Sequence, residues 1–120
     1  MPSPNYVQPD GAEGSAAVTA SESAPTGAEG VSTGGFAWLQ ASALPCDLDG
    51  GAGNLVVYGA LDGAAPGALT PIDTTALVDG EGSTRVVFVA GFDRVAVRVT
   101  GLDGGSPAVT RTLRLLRERP

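Results

Sequence analysis

The chain has few residues that could carry chemistry, and the usual catalytic types are absent. Its 120 residues include no histidine, and all seven basic residues are arginine, so lysine is absent as well. Histidine is the commonest general base and metal ligand, and lysine is a common amine nucleophile. The serine and threonine hydroxyls between residues 70 and 112 therefore have no histidine to activate them. We expect a protein that is not an enzyme.

Carboxylates are the next candidates for chemistry. Residues 47–51 read Asp-Leu-Asp-Gly-Gly, which is similar to the opening of a calcium loop in which alternate carboxylates converge on one ion. Gly51 stands where a third oxygen ligand is needed, and no matching distal glutamate follows. Asp-Gly pairs occur at positions 49, 62, 79 and 103, where they suit tight turns. We expect turn formation to account for these acids, with neither a metal site nor a glycosidase pair.

No cofactor is expected either. The glycine-rich stretch 101–105 precedes a strand pattern rather than a helix, so it offers no helix N-terminus to a phosphate. Cys46 is the single cysteine, which rules out a disulfide within one chain, and we expect a small buried thiol rather than a reactive one. Trp38 and Tyr58 could together stack a sugar on a β-face. The alternative, which we favour, is that Trp38 plugs one end of the core.

The elements that must position these residues fall into two unlike halves. Residues 1–35 are rich in Pro, Gly, Ala, Ser and Glu, and within 9–35 only Val18 and Val31 are larger apolar residues. Such a segment cannot offset its own ordering entropy. We predict an extended, flexible, low-complexity N-terminal arm over residues 1–35, followed by a β-domain over residues 36–120. Near the tip of the arm, Tyr6 and Val7 could anchor on a partner as an added strand or in a pocket, and the alternative is a frayed terminus.

From residue 36 onward, short β-branched runs alternate with turn signals, as is typical of a small all-β domain. We predict strands over residues 36–44, 55–61, 70–78, 84–90, 94–100 and 109–116. Pro71 places the third of these at a sheet edge, and the fifth should point Val95, Val97 and Val99 inward. The predicted fold class is all-β, a small antiparallel β-sandwich or jelly roll preceded by the arm.

Charge is segregated along the chain. Residues 1–83 hold ten acidic residues and no basic one, whereas residues 84–120 hold seven arginines and three acidic residues, giving a net charge of −6. An acidic chain repels phosphate backbones and anionic lipids, so we expect neither nucleic acid nor membrane as a partner. The N-terminus lacks the basic and apolar regions of a secretory signal, and we expect synthesis in the cytoplasm.

Four arginines lie on predicted strands that we expect to be neighbours: Arg94, Arg98, Arg111 and Arg114. They predict a basic stripe on one sheet face, suited to an acidic partner surface or to self-association. The alternative is that these side chains simply decorate the solvent face of the strands. Together with Tyr6 and Val7, they are the predicted partner-binding residues.

Three stretches carry a resemblance to a known group of proteins. They are Leu-Val-Val-Tyr-Gly-Ala-Leu-Asp-Gly at 55–63, Thr-Pro-Ile at 70–72 and Gly-Phe-Asp-Arg-Val-Ala-Val-Arg-Val-Thr-Gly-Leu-Asp-Gly at 91–104. Over residues 36–116 the chain resembles small β-sandwich structural proteins of tailed bacteriophages, such as head decoration or cement proteins. No functional residue is carried over from that group.

The resemblance implies a non-enzymatic virion protein on the capsid surface. Its partners would be the major capsid protein and copies of itself, in a homo-oligomer such as a trimer, with the N-terminal arm clamping neighbouring subunits. The alternatives are a glycan-binding or host-attachment module, or a minor tail or connector component.

Overall fold

The computed structural model describes residues 6–7, 14–61 and 69–119. It confirms the predicted all-β fold, and the described residues include a 3₁₀ turn at Gly27–Glu29. The strands are β1 (Tyr6–Val7), β2 (Ser15–Val18), β3 (Val31–Ser32), β4 (Trp38–Asp47), β5 (Asn54–Leu61), β6 (Thr70–Ala76), β7 (Ser83–Phe88), β8 (Phe92–Thr100) and β9 (Ala108–Leu116). Within these described ranges there is no helix with the length and hydropathy needed to cross a membrane.

The strands form two antiparallel sheets with the nested pairing of a jelly roll. The five-stranded sheet has the order β1-β9-β4-β7, with β2 also paired to β9, and the four-stranded sheet has the order β3-β8-β5-β6. The pairs β2 with β9, β3 with β8, β4 with β7 and β5 with β6 lie one inside the next, as in a single long hairpin that has been rolled up. The sequence predicted either a simple antiparallel β-sandwich or a jelly roll, and this strand order is that of a jelly roll.

The core lies between the sheets and is built from alternate residues of the strands. Val95, Val97 and Val99 are fully buried in it, as their alternation predicts. Further large members come from the facing sheet and from β5: Leu39, Leu55, Val57, Val109, Leu113 and Leu115. The continuous apolar run of β5 is explained by a second, smaller cluster on the other face of the four-stranded sheet, which contains Val56, Tyr58, Leu69 and Ala96.

A strap, residues 19–30 between β2 and β3, lies over that other face. The Glu22 amide donates to the Val99 carbonyl on β8 (2.9 Å), and the Pro25 carbonyl accepts from the Leu69 amide just before β6 (2.9 Å). The strap therefore passes from β8 to the start of β6 and returns to β8 as β3. A Cβ atom on Gly30 would lie 3.0 Å from a Leu69 methyl group, so the strap passes close to this side chain at its return.

Much of the segment predicted to be a flexible arm thus lies against the jelly roll. Residues 14–35 contribute β2, the strap and β3, and Tyr6 and Val7 pair through their backbone with Leu116 and Leu115 of the same chain. These strands cover the outer edges of β9 and β8, which would otherwise present unpaired backbone groups. The division at residue 36 into an arm and a β-domain stays a prediction.

The Asp-Gly turns lie where the sequence places them. Asp49 and Gly50 adopt left-handed backbone angles (φ 49° and 77°) between β4 and β5, and Gly80 does so (φ 82°) between β6 and β7. The pair at 62 and 63 lies outside the described residues. Strand β4 continues beyond its predicted end through a bulge between Ala43 and Cys46, and Cys46 is buried.

Candidate interaction surface

An aromatic cluster occupies the end of the sandwich where β4 begins and β7 and β9 end. Trp38 pairs with Phe88 on one side and with Leu116 on the other, so the three side chains form one row across the outer face of the five-stranded sheet. The Trp38 and Phe88 rings meet edge to face, with centroids 5.0 Å apart and planes inclined at 64°. This arrangement adds about 1 kcal/mol of attraction beyond the buried area.

Two arginines after β9 stack on these rings. The guanidinium carbon of Arg119 lies 5.5 Å from the Trp38 centroid, and that of Arg117 lies 5.6 Å from the Phe36 centroid. Cation–π contacts of this kind hold the guanidinium in place while leaving its N–H groups available. Within the described residues, no carboxylate lies within 4 Å of either guanidinium. We call Phe36, Trp38, Phe88, Phe92, Arg117 and Arg119 the aromatic end.

The aromatic end is open to solvent in two places. Phe88 is 56% exposed on the edge strand β7, and Trp38 and Phe36 are half-buried. Beside them, residues 32–37 and 90–93 line an open cleft of about 350 Å³. Exposed aromatic and arginine side chains at a sheet edge are typical of protein interfaces, in which such residues contribute most of the binding free energy.

The sequence suggested either that Trp38 and Tyr58 stack a sugar together or that Trp38 plugs one end of the core, and the positions of the two side chains test both interpretations. Leu39 points into the core, so strand alternation places Trp38 on the outer face; the expectation that Trp38 plugs the core is wrong. Tyr58 is only 4% exposed beneath the strap, and burial raises the pKa of its hydroxyl. The two rings therefore do not form a joint platform for a sugar.

The four arginines predicted to form a stripe do not share a sheet. Arg94 and Arg98 lie on β8 of the four-stranded sheet, whereas Arg111 and Arg114 lie on β9 of the five-stranded sheet, so the expectation of one basic face is wrong. The sequence suggests neighbours because β8 and β9 are consecutive, but the connection crosses from one sheet to the other. A role for these four arginines, or for Tyr6 and Val7, in binding a partner stays a prediction.

Two of these arginines are almost completely buried. Arg111 faces inward with Val109 and Leu113, is 7% exposed, and donates to both carboxylate oxygens of Glu22 at 2.8 and 3.0 Å. Arg98, also 7% exposed, lies 3.9 Å from the carboxylate of Glu29. These acids belong to the strap and its 3₁₀ turn. The Arg111–Glu22 pair fastens the strap to the sandwich, whereas the Arg98–Glu29 contact is longer and its carboxylate is exposed.

Arg94 and Arg114 are more accessible. The Arg94 guanidinium donates to the Gly30 carbonyl at 2.6 Å, and Arg114 lies beside Gln40 on the outer face that also carries Trp38. Sequence reasoning missed Phe88, Arg117 and Arg119 as parts of a surface. The signal that could have identified Phe88 was the alternation of inward and outward side chains along β7. The same alternation along β9 puts Arg114 on the outer face.

The aspartates at the opposite end of the sandwich build turns. Asp79 accepts the amides of Leu48 (2.8 Å) and Gly50 (3.1 Å), and Asp103 accepts the amide of Ala52 (2.6 Å). Asp49 likewise accepts the amide of Ser106 (2.7 Å). In the part of the chain that the structure describes, no three acidic, histidine or cysteine side chains lie close enough to hold a metal ion.

Comparisons with known proteins give no family for this chain. No family model matches it, and no curated protein matches it by sequence. One solved structure, from work titled "Bacillus endospore appendages form a novel family of disulfide-linked pili", matches over 87% of this chain and 84% of its own. Its identity is 16% and its TM-score is 0.43, a weak similarity of two small all-β chains that carries no argument about function.

Proposed function

We propose that this protein is a non-enzymatic structural protein that binds the outside of a larger protein assembly through its aromatic end. The observation that carries the proposal is the Trp38–Phe88 pair on an open sheet edge, with Arg117 and Arg119 held nearby by ring contacts. Each aromatic side chain can bury about 150–250 Å² in an interface. Arginines at the rim then select an acidic partner surface and fix the orientation.

The assembly we propose is the head of a tailed bacteriophage. The protein would act as a decoration or cement protein on the capsid surface, bound to the major capsid protein and to copies of itself, after synthesis in the host cytoplasm. The sequence resemblance at 55–63 and 91–104 supports this proposal. The jelly roll is also compatible with it, since viral capsid domains often use this architecture.

In this fold, fewer residues of the N-terminal arm can take part in the proposed clamping of a neighbouring subunit. Residues 14–35 already complete the jelly roll of their own chain, which leaves residues 1–13 to reach a neighbour. Fully extended, they span at most about 45 Å. Because Tyr6 and Val7 pair with β9 of the same chain, such a clamp would exchange this pairing for the β9 edge of a neighbouring subunit.

The first test is to count this chain against the major capsid protein in purified virus particles by quantitative mass spectrometry. We expect the copy number of this chain to be a simple fraction of the copy number of the major capsid protein, as set by the capsid lattice. A few copies per particle would instead assign the protein to the tail. Absence from particles would overturn the virion proposal.

The second test concerns the surface itself. Phe88→Ala should weaken binding to particles that lack the protein by about tenfold or more, as for a central aromatic anchor. Thr74→Ala is the control, because Thr74 is exposed in the middle of the edge strand β6 and lies at neither end of the sandwich. Equal binding by both variants would remove the aromatic end from the proposal.

A glycan-binding module is the second candidate, because half-buried Trp38 lies near the 350 Å³ cleft and because jelly rolls also occur in lectins. Trp38 is the only tryptophan, so its fluorescence reports directly on this surface. Saturable quenching by a sugar would favour the module, and unchanged emission across a glycan panel would exclude Trp38 from sugar stacking.

A further inference from the structure

We propose that copies of this protein associate head to tail, with the acidic end of one copy docking on the aromatic end of the next. The acidic end comprises five exposed carboxylates in the turns at the far end of the sandwich: Asp47, Asp49, Asp79, Glu81 and Asp103. In the absence of that larger assembly, the occupant of the aromatic end is therefore a second copy of the chain. The inference rests on the proposed function in that it uses the same aromatic end.

The two ends have opposite charge. The turn segments 44–53, 77–83 and 101–107 contain no basic residue, so nothing in them offsets the five acids. Among the residues that the structure describes around the aromatic end, four arginines outnumber the two neighbouring acids Asp93 and Glu118: Arg94, Arg114, Arg117 and Arg119. Each copy therefore carries a negative surface at one end and a positive, aromatic surface at the other.

The distance between the ends prevents them from neutralising each other within one copy. Strand β4 runs from Trp38 at the aromatic end to Asp47 at the acidic end, and nine steps of extended backbone span about 30 Å. The Debye length at physiological ionic strength is about 8 Å. The charges of one end are thus screened from the other end of the same molecule, and they can act at full strength only on a surface in direct contact.

Both surfaces are held in place before they bind. Asp79, Asp49 and Asp103 are fixed by hydrogen bonds from backbone amides, and each is still exposed to solvent. Arg117 and Arg119 are oriented by the rings beneath them. Less side-chain entropy is lost when such groups enter an interface, which favours association.

The geometry favours a head-to-tail contact over a symmetric one. A two-fold contact between aromatic ends would bring arginines against arginines, and one between acidic ends would bring carboxylates together. A head-to-tail contact instead leaves one unoccupied surface of each kind on the pair. Such contacts continue until they close into a ring, or form a filament if the rotation does not close.

The test uses sedimentation of the full chain in low and high salt with two double variants. R117E/R119E removes the positive surface and keeps the acidic end, whereas D47N/E81Q neutralises two acids and keeps the aromatic end. Asn and Gln retain an acceptor oxygen, so the turn at Asp47, which accepts the Asp49 amide, is preserved. Circular dichroism verifies that both variants fold, and E29Q is the control for loss of an acidic charge away from the ends.

We expect the unmodified chain and E29Q to assemble at low salt and to dissociate as salt rises. Each double variant alone should associate at least about tenfold more weakly. An equimolar mixture of the two should give a one-to-one dimer, because the intact acidic end of one fits the intact aromatic end of the other. No larger species should form, since the remaining two ends are both altered.

Two outcomes would overturn the inference. The first is an unmodified chain that stays monomeric in low salt at a concentration of about 100 μM. The second is assembly of D47N/E81Q as strong as that of the unmodified chain. The second outcome would mean that the acidic end is not the occupant. Failure here is distinguishable from failure of the proposed function. A monomeric chain whose Phe88→Ala variant still loses particle binding supports the function and excludes self-association through these ends.

Discussion

Glu22 and Arg111, 89 positions apart in the chain, form an ion pair through two hydrogen bonds of 2.8 and 3.0 Å. The same Glu22 carboxylate accepts the Val99 amide at 2.9 Å, so one side chain connects the strap, β8 and β9. The pair therefore joins both sheets to a segment whose composition alone would leave it unfolded. It is the contact through which the N-terminal region becomes part of the sandwich.

Removing the charge of Glu22 should destabilise the protein. Glu22→Gln leaves the largely buried Arg111 without this negative charge, and we expect the free energy of unfolding to fall by about 2–3 kcal/mol. The measurement is a urea unfolding curve. Glu29→Gln is the matched control in the same segment, because Glu29 is exposed and its carboxylate lies 3.9 Å from Arg98, and it should change little. Equal effects of both variants would contradict a special role for the Glu22 pair.

Truncation tests whether the N-terminal segment is an arm or part of the domain. Deletion of residues 1–35 removes β2, the strap and β3, and it exposes the edges of β9 and β8. We expect this fragment to lose its cooperative thermal transition. Deletion of residues 1–13 keeps β2 and Glu22 and should retain the transition. A fragment 36–120 that melts as cooperatively as the full chain would establish the arm and the domain as separate units.

Two glycines in the turn between β6 and β7 form a matched pair. Gly80 and Gly82 both have left-handed backbone angles (φ 82° and 70°), but only at Gly82 would a Cβ atom meet other atoms, the Ala43 carbonyl oxygen among them. We expect Gly80→Ala to cost about 1 kcal/mol and Gly82→Ala about 3 kcal/mol in unfolding experiments. Equal costs would mean that the turn moves away from β4 without penalty.

The buried thiol of Cys46 should make the protein less stable as pH rises into the alkaline range. Burial raises the pKa of Cys46, and the charge of Asp79 acts in the same direction. The folded state therefore favours the neutral thiol. Its contribution to stability is complete below the unfolded-state pKa of about 8.5 and is lost as pH rises through the higher folded-state value.

Comparison of the unmodified chain with Cys46→Ala between pH 7 and pH 10 isolates this contribution, because the effect of Tyr58 is common to both. The urea midpoint of the unmodified chain should fall more steeply with pH. Parallel curves would contradict the prediction. Ellman's reagent should also react slowly with the folded chain and rapidly in urea, since Cys46 is 5% exposed.

The six strands from residue 36 onward were predictable because their signals are local. Alternating valines in β8 and the Asp-Gly turns at 49 and 79 each report on backbone geometry within a few residues. The candidate surface was less predictable. Phe88, Trp38 and Arg119 are distant in the sequence, and only the pairing of β4 with β7 and β9 brings them together.

The sequence by itself determined the all-β class, the inward faces of the main strands and the turns, since side-chain periodicity and positive-φ residues act over short range. Only the tertiary structure decided the fate of residues 14–35, the sheets to which Arg98 and Arg111 belong, and the outward position of Trp38. These features depend on which strand edges are available for pairing. A segment with little to bury becomes ordered when long-range neighbours supply its hydrogen bonds and the counterions of its carboxylates.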